Sequence, residues 1–565
     1  MSIESRNAKR AALFVFSICV AACALSAPAA AQSSNVGIQA LLPSIALGLG
    51  PSDSPAPFFP TPIELFPPSN SVSGPEATFL LGVSCARPGK CVAVGQYTDT
   101  SGSSQPMIIT QSGGVWGQAV EAGLPTNSAT APGGQTAFLF GVYCASVGNC
   151  LAAGGYTDST GNEQPLVVSE TDGVWARGIA LNLPANATTA PGTQFAFLNT
   201  VTCPSPGNCA ITGGYSTTSG SLDYGAAVFS QRHGVWGRGV QIALPANATT
   251  AASGPTNPAA GLNTMGALNC FSAGNCVGGG QYTDTNFNSQ PMISTEINGA
   301  WSQAIELSLP PNAATAESAQ NGFLASLVCF APGNCSVGGG YNDTNGNAQP
   351  AVFDETHGVW AQGFELTLPT NAATAPGTQS AYLNGFNCTN LGNCFAYSAY
   401  NDLAGSGQPL LITETGGVWA QGVEPPLPNN AVTTAGAQNA NINNASCTSP
   451  GVCVAVGNYV DSNGNLQAMV YATVPTLSIA TPWLPATQVR SYYWARLSAD
   501  GGSGPNSWSV SAGALPPGLT LNTSTGEIHG TPTASGTFNF TITVSDSGTT
   551  PGQQASGQFV ILVRK

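Results

Sequence analysis

Residues 79–125 read FLLGVSCARPGKCVAVGQYTDTSGSSQPMIITQSGGVWGQAVEAGLP, and residues 138–184 read FLFGVYCASVGNCLAAGGYTDSTGNEQPLVVSETDGVWARGIALNLP. The two stretches share one pattern, and the pattern recurs along the chain. Its fixed points are cysteines in the spacing C-x5-C: Cys85/Cys91, Cys144/Cys150, Cys203/Cys209, Cys270/Cys276, Cys329/Cys335, Cys388/Cys394 and Cys447/Cys453. Successive first cysteines stand 59, 59, 67, 59, 59 and 59 residues apart. A fixed period of this length marks one supersecondary unit repeated seven times.

Each unit reads as four short apolar stretches separated by turns. The first stretch ends at the first cysteine, and a five-residue loop leads into the second. A Y-x-D-x-x-G turn and a Gln-Pro strand start follow, and a Gly-Val-Trp strand closes the unit before Leu-Pro. Turn residues between β-branched and aromatic runs are what antiparallel hairpins require, and no helical period competes. The reading is an all-β chain whose repeats are four-stranded blades of a seven-bladed β-propeller. The main alternative, an open solenoid, needs capped ends.

The chain ends favour a closed ring. The seventh unit keeps its cysteines and its Tyr459-Val460-Asp461 turn but has no Gly-Val-Trp strand. Near the N-terminus, Pro62-Ile63-Glu64-Leu65-Phe66-Pro67-Pro68 mirrors Ala304-Ile305-Glu306-Leu307-Ser308-Leu309-Pro310-Pro311, with Phe59 in the place of Trp301. The N-terminal segment is therefore expected to supply the missing strand and remove the free edge.

Each cysteine pair is expected to bridge two adjacent strands of one blade, since facing positions on paired strands lie within disulfide range. A seven-residue loop closed this way contributes ~2 kcal/mol in the chain-entropy model. Zinc is the weaker reading, because each blade offers two thiols and no histidine partner. Trp116, Trp175, Trp236, Trp301, Trp360 and Trp419 recur once per blade. One recurring position implies one structural task, packing between blades, with a sugar-stacking platform as the alternative.

Asp99, Asp158, Asp284, Asp343, Asp402 and Asp461 suit Asx-type turns. The strings Asp343-Thr-Asn-Gly-Asn347 and Asp461-Ser-Asn-Gly-Asn465 share the order of a calcium loop but lack its further carboxylates and final Glu. No cofactor is expected, and Ca2+ stands as a secondary reading. His233 and His357 occupy a turn position held elsewhere by Gly113, Asp172, Asn298 or Gly416, so neither reads as a general base. Glu170, Glu296, Glu355 and Glu414 are likewise equivalent between blades, and no Ser–His–Asp set or unique acid pair emerges.

Blade 3 departs from the pattern. It lacks the turn Asp and the Gln-Pro, and reads Tyr215-Ser-Thr-Thr-Ser-Gly-Ser-Leu-Asp223-Tyr224, followed by an enlarged link over 251–264. Asp223 and Tyr224 are the candidate ligand-binding residues. Links such as Leu183-Pro-Ala-Asn-Ala-Thr-Thr-Ala-Pro191 should emerge on one side of the disc, as a neutral recognition rim or as plain spacers.

Charged residues make up only 7% of the chain, against about 25% in an ordinary globular protein, so the surface must be mostly neutral and polar. With a net charge of −14 and 12 Lys and Arg, the chain has no footprint for a nucleic-acid backbone. Residues 1–31 read as a secretory signal peptide, with Lys9 and Arg10 before an apolar run and Ala29-Ala30-Ala31 before Gln32. A rival reading takes Val20-Ala21-Ala22-Cys23 as a lipobox, with a lipid anchor on Cys23. Both export the chain, to the outside or surface of a bacterium or to its periplasm, and no later apolar run reaches the ~20 residues of a membrane span. Residues 32–57 read as a linker and 58–473 as the propeller.

From 474 to 565 the text changes: cysteines and the repeat stop, and four Lys and Arg residues appear. Leu515-Pro-Pro-Gly518-Leu519 and Gly526-Glu-Ile528-His-Gly530-Thr-Pro532 precede Thr537-Phe-Asn-Phe-Thr-Ile-Thr-Val-Ser-Asp546, whose alternation marks a half-buried strand. This segment resembles the Ig-domain family of bacterial surface and secreted proteins, cadherin-like β-sandwiches. The resemblance implies an extracellular accessory or adhesion module and a calcium site; here Asp500 and Asp546 stand without a dense carboxylate cluster. The propeller resembles bacterial secreted repeat proteins with Ser-Cys…Cys-x-Ala-Val-Gly blades, which implies the fold and no activity. The expectation is a non-catalytic binding or adhesion protein with a glycan, cell-surface or matrix partner. A structural envelope scaffold and a polysaccharide hydrolase or lyase are the alternatives.

Overall fold

The computed structural model describes residues 62–72, 78–218, 224–249, 263–390, 392–449, 452–472, 477–502, 505–546 and 553–565. The signal segment with Cys23, Phe59, Asp223 and most of the enlarged link lie outside the described residues.

Seven antiparallel sheets follow one another. In blade 1, Thr78–Arg87, Lys90–Thr98 and Ser104–Ser112 pair in order. The outermost strand is split into Val115–Trp116 and Val120–Glu121, both paired with Ser104–Ser112. Splitting refines the expectation of one continuous Gly-Val-Trp strand. The innermost strands pack side by side in sequence, and the last, Asn441–Ser449, packs against the first, Thr78–Arg87. The ring is closed.

Closure follows the mirrored sequence. Ile63–Leu65 pairs antiparallel with Leu466–Ala472, setting Glu64 opposite Met469 and Ile63 opposite Val470. Glu306 and Ile305 face Met292 and Ile293 in the same way. The inner strands are joined across the seam as well. Asn443 Nδ2 donates to the Leu80 carbonyl at 2.7 Å, and the Cys85 N–H to Ser446 Oγ at 3.0 Å.

Seven disulfides, one per blade, link the first two strands: Cys85–Cys91, Cys144–Cys150, Cys203–Cys209, Cys270–Cys276, Cys329–Cys335, Cys388–Cys394 and Cys447–Cys453. Their Cα separations of 4.0 to 4.1 Å are shorter than the ~4.5 Å of an ordinary facing pair, so each bridge draws its two strands together. The expected bridge across each hairpin is thus present, and burial adds a second task to the cysteines. Cys91, Cys150, Cys209, Cys276, Cys335, Cys394 and Cys453, the second member of every pair, are all buried. Cys91, Cys150, Cys335 and Cys453 pack into the apolar clusters between blades, so their sulfurs are core atoms as well as staples. The physical reason is position: the second strand of a blade is covered on both faces, as in Lys90–Thr98, where Cys91 and Ala93 pack into one inter-blade cluster and Val92 and Val94 into the next. Disulfides at this density suit an oxidising compartment.

The cores lie between blades. Leu80, Met107 and Ile109 of blade 1 pack with Val454, Val456 and Val470 of blade 7, and Trp116 seals that cluster. The recurring tryptophan therefore does pack between blades. The glycine four residues after each second cysteine has a packing cause. A Cβ on Gly95 would stand 1.8 Å from the Phe79 carbonyl oxygen, so the bulged inner strand tolerates no side chain there. Blade 6 places Ser398 at this position, fully buried with its hydroxyl unpartnered among the described residues.

The C-terminal region forms a separate β-structure. Gln554–Arg564 lies between Thr487–Gln488 and Gly536–Asp546, and Asn506–Gly513 completes that sheet. A second sheet pairs Tyr493–Arg496, Glu527–Gly530 and Leu519–Leu521. Trp508, Phe540, Ile542, Ile528 and Ile561 form the core between them. Alternate residues of Gly536–Asp546 point inward, as its pattern predicted.

Candidate functional site

The inner strands decide what the axis of the ring offers. Across all seven, Arg87, exposed at the end of its strand, is the sole ionisable side chain apart from cysteine and tyrosine. These strands themselves bring no carboxylate or histidine to the axis. The cysteines of these strands are held in disulfides, so they bring no thiolate there either.

The face bearing the Tyr-x-Asp turns is occupied by structural hydrogen bonds. Asp99 Oδ1 accepts from the N–H groups of Ser101 at 2.8 Å and Ser103 at 3.0 Å, while Oδ2 accepts from Gln105 Nε2 at 2.9 Å. The same pattern recurs at Asp158, Asp284, Asp343, Asp402 and Asp461. Burial alone pushes the Asp99 carboxyl up, but hydrogen bonds from Ser101, Gln105 and Ser103 outweigh it and hold the group below the usual carboxylate range. The Asp and Gln-Pro positions thus form one turn, with its lone pairs taken by N–H donors.

The links are tied into the same face. Tyr341, fully buried, donates its hydroxyl to Asn312 Oδ1 at 2.8 Å or Glu365 Oε2 at 2.6 Å, and Asn312 Nδ2 donates to Glu365 at 2.7 Å. Tyrosine comes from the second strand, Glu from the outer strand and Asn from the preceding link. Tyr97, Tyr282 and Tyr400 repeat the arrangement, and Glu64 completes it around Tyr459 and Asn430 of blade 7. The links act as buttresses more than as a free rim.

Tyr224 opens the third strand of blade 3 on this face, half-buried, with its ring edge-on to Phe195 at 5.7 Å. Asn263 Nδ2 donates to its carbonyl at 2.9 Å. Arg232 closes the same nine-residue strand, so it lies on the opposite face, roughly 26 Å away at the rise of a β-strand.

That opposite face carries the feature the sequence reading missed. Between the outer strands of blades 3 and 4 lies a groove of about 370 Å³, lined by Arg232, Trp236, Arg238, Glu296 and Trp301. Position by position, the other blades place Ser112, Thr171, Ile297, Thr356 and Thr415 where blade 3 has Arg232. Gln118, Gln303, Gln362 and Gln421 stand where it has Arg238, and Arg177 is the sole other cation there. Arg232 reaches onto blade 4: its Nη2 lies 2.6 Å from where a Cβ on Gly274 would stand and 2.5 Å from one on Gly299. Both are turn glycines, at φ of 81° and 86°, as are their described counterparts in the other blades, and the missing side chains leave the space in which the guanidinium rests.

Glu296 is 3% exposed, and its Oε2 has no hydrogen-bond partner among the described residues. Burial pushes its carboxyl up, and Arg232 pulls it partly back. In blade 3 the matching residue is Gln231, whose Nε2 donates to the Gly234 carbonyl at 3.3 Å. His233, at φ 48°, sits in the adjoining turn, as expected from its exchange with glycine. A comparison of charge between blades at each position was the signal that could have found this groove.

Among the described residues no cluster of three His, Cys, Asp or Glu could hold a metal, and no helix is long and apolar enough to cross a membrane. In the C-terminal region Trp483, Tyr492 and Trp494 are 68%, 70% and 56% exposed. Trp494 faces His529 across the three-stranded sheet.

Residues 470–563 match the model of the family described as "Putative Ig domain". No curated protein matches the sequence. Among solved structures, a protein of unknown function from Dyadobacter fermentans overlaps 73% of this chain and 98% of its own at 10% identity, with a TM-score of 0.38. A polysaccharide lyase, ulvan lyase, covers 73% of this chain and 96% of its own at 12% identity and a TM-score of 0.43. An α-L-arabinanase of Penicillium chrysogenum covers 74% and 99% at 12% identity and 0.34. Likeness at these levels carries neither an activity nor a ligand to this chain.

Proposed function

We propose that the chain is an exported, non-catalytic binding protein, acting outside the cell or at its surface. It seats a ligand in the groove between blades 3 and 4 and offers the exposed aromatics of the Ig-like region as a second contact. One observation carries this reading. The inner strands, repeated seven times, bring no carboxylate or histidine to the axis, whereas the irregular groove gathers a set of unlike residues. A site of unlike residues on a rigid scaffold suits recognition.

The test is a glycan-array and whole-cell screen with residues 32–565, run with calcium and with chelator. Saturable binding indifferent to chelator is expected, since the turn carboxylates already accept N–H donors. Silence on every surface would favour the scaffold reading, and turnover of any glycan would favour the hydrolase or lyase.

A further inference from the structure

Two arginines of blade 3 stand in the groove without ion-pair partners. Among the described residues neither Arg232 nor Arg238 has an ion-pair or side-chain hydrogen-bond partner, although the chain carries 26 Asp and Glu against 12 Lys and Arg. The propeller segment 62–472 holds five cations, Arg87, Lys90, Arg177, Arg232 and Arg238, and two of them line one groove.

Blade 3 has also shed the acids of its neighbours. Gln231 replaces the glutamate of blades 2, 4, 5 and 6, Gln241 replaces the outer-strand glutamate, and Thr217 replaces the turn aspartate. The Gln231 exchange removes like charge from beside Arg232, while the arginines supply the opposite charge; Gln241 and Thr217 lie towards the opposite face, with Asn186 and Ala187.

From this we infer that the groove binds an acidic saccharide, a sugar ring bearing a carboxylate or sulfate. The anionic group meets the Arg232 and Arg238 guanidinium groups, and the ring lies against Trp236 and Trp301. Arginine forks match the geometry of both oxyanions, and indole faces stack on apolar sugar faces. The two indoles favour this ligand over an acidic peptide, because a sugar ring places an apolar face beside its acid group, whereas aspartate and glutamate side chains bring a carboxylate without a ring to stack. The inference rests on the binding reading above and names its ligand.

Calorimetry on residues 32–565 tests it with four probes: tetragalacturonic acid, its methyl ester, a chondroitin sulfate tetrasaccharide and tetra-aspartate. The variant is Arg232→Thr with Arg238→Gln, residues that other blades carry at these positions, so the blade should fold. Arg177→Gln on blade 2 is the control. At least one acidic saccharide should bind, with affinity falling as salt rises, at least tenfold less tightly to the double variant and unchanged by Arg177→Gln. The uronate and sulfate arms tell which oxyanion is preferred. Where the uronate binds, its methyl ester should be at least tenfold weaker. An ester as tight as the acid, a double variant with wild-type affinity, binding of tetra-aspartate alone, or no binding of either acidic saccharide would each overturn the inference. Binding elsewhere on a glycan array would leave the broader reading standing, and silence there too would remove both.

Discussion

Blade 7 and blade 3 both break the repeat, in opposite ways. Blade 7 takes its outer strand from Ile63–Leu65, hundreds of residues away in sequence, yet Glu64 meets Tyr459 and Asn430 at 3.2 Å each, as Glu365 meets its own tyrosine and asparagine. Blade 3 is continuous in sequence but has Gln241 in the glutamate's place, bonded to Asn186 at 3.0 Å, with Tyr215 bonded to Asn186 alone. One departure restores the common geometry; the other changes the charge while keeping it. Irregular sequence therefore has two meanings in a ring of repeats, and only the structure separates them.

The largest expected effect tests blade 7. Leu65 is 7% exposed and packs into the seam, whereas Ile63, two residues earlier, is 51% exposed. Leu65→Ala should cost about 2–5 kcal/mol by chemical denaturation. Ile63→Ala should stay within about 0.5 kcal/mol. Equal effects would mean that the strand does not dock with Leu65 inward.

A smaller effect sharpens the contrast among the buried tyrosines. Tyr341 bonds to a carboxylate and an amide, while Tyr156, whose blade has Ala180 in the glutamate's place, bonds to Asn127 alone. Tyr341→Phe should cost about 1.5–3 kcal/mol and Tyr156→Phe about 1 kcal/mol. Because Glu365 is exposed and water can replace the lost donor, the first value should fall at the low end of its range. Urea midpoints of the two variants give the comparison.

The smallest effect concerns the half-buried glutamates that blade 3 lacks. Burial pushes Glu355 and Glu414 above the ordinary value of 4.5, and Asp354 adds to the shift of Glu414. Folding thus favours their protonated forms. The stability they contribute is full below the unfolded value and is lost as pH rises through the raised folded value. Glu355→Gln and Glu414→Gln should therefore raise the melting midpoint at pH 7 and leave it nearly unchanged at pH 4. Blades 1 and 3 already show the amide fitting, through Gln111 and Gln231 bonded to Gly114 and Gly234. A midpoint lowered at pH 7 would show instead that these carboxylates are ionised and paired.

The period, the seven disulfides, the Asx-type turns, the tryptophans packed between blades and the N-terminal strand that closes the ring were all legible in the amino-acid order. These are local or repeated features: a turn is set by residues within six of each other, and a repeat is visible by self-comparison. Even the closing strand could be read, because 62–68 copies 304–311 nearly word for word. The cysteines mark where legibility stops. Their pairing follows from spacing, but the burial of Cys91 or Cys335 depends on the neighbouring blade that covers it. Tertiary structure decided the rest in the same way. The buttress of Tyr341, Asn312 and Glu365 joins residues 24 to 53 apart in sequence, and no local pattern ties the link's Asn to a tyrosine two strands on. The groove joins Arg232 to Glu296 and Trp301, across the boundary between blades. The irregularity of blade 3 shows in its sequence, but it points to Asp223 and Tyr224, and Tyr224 opens the strand that Arg232 closes. A site between repeats belongs to neither repeat's own sequence; it exists only once the ring brings the outer edge of one blade against the turns of the next.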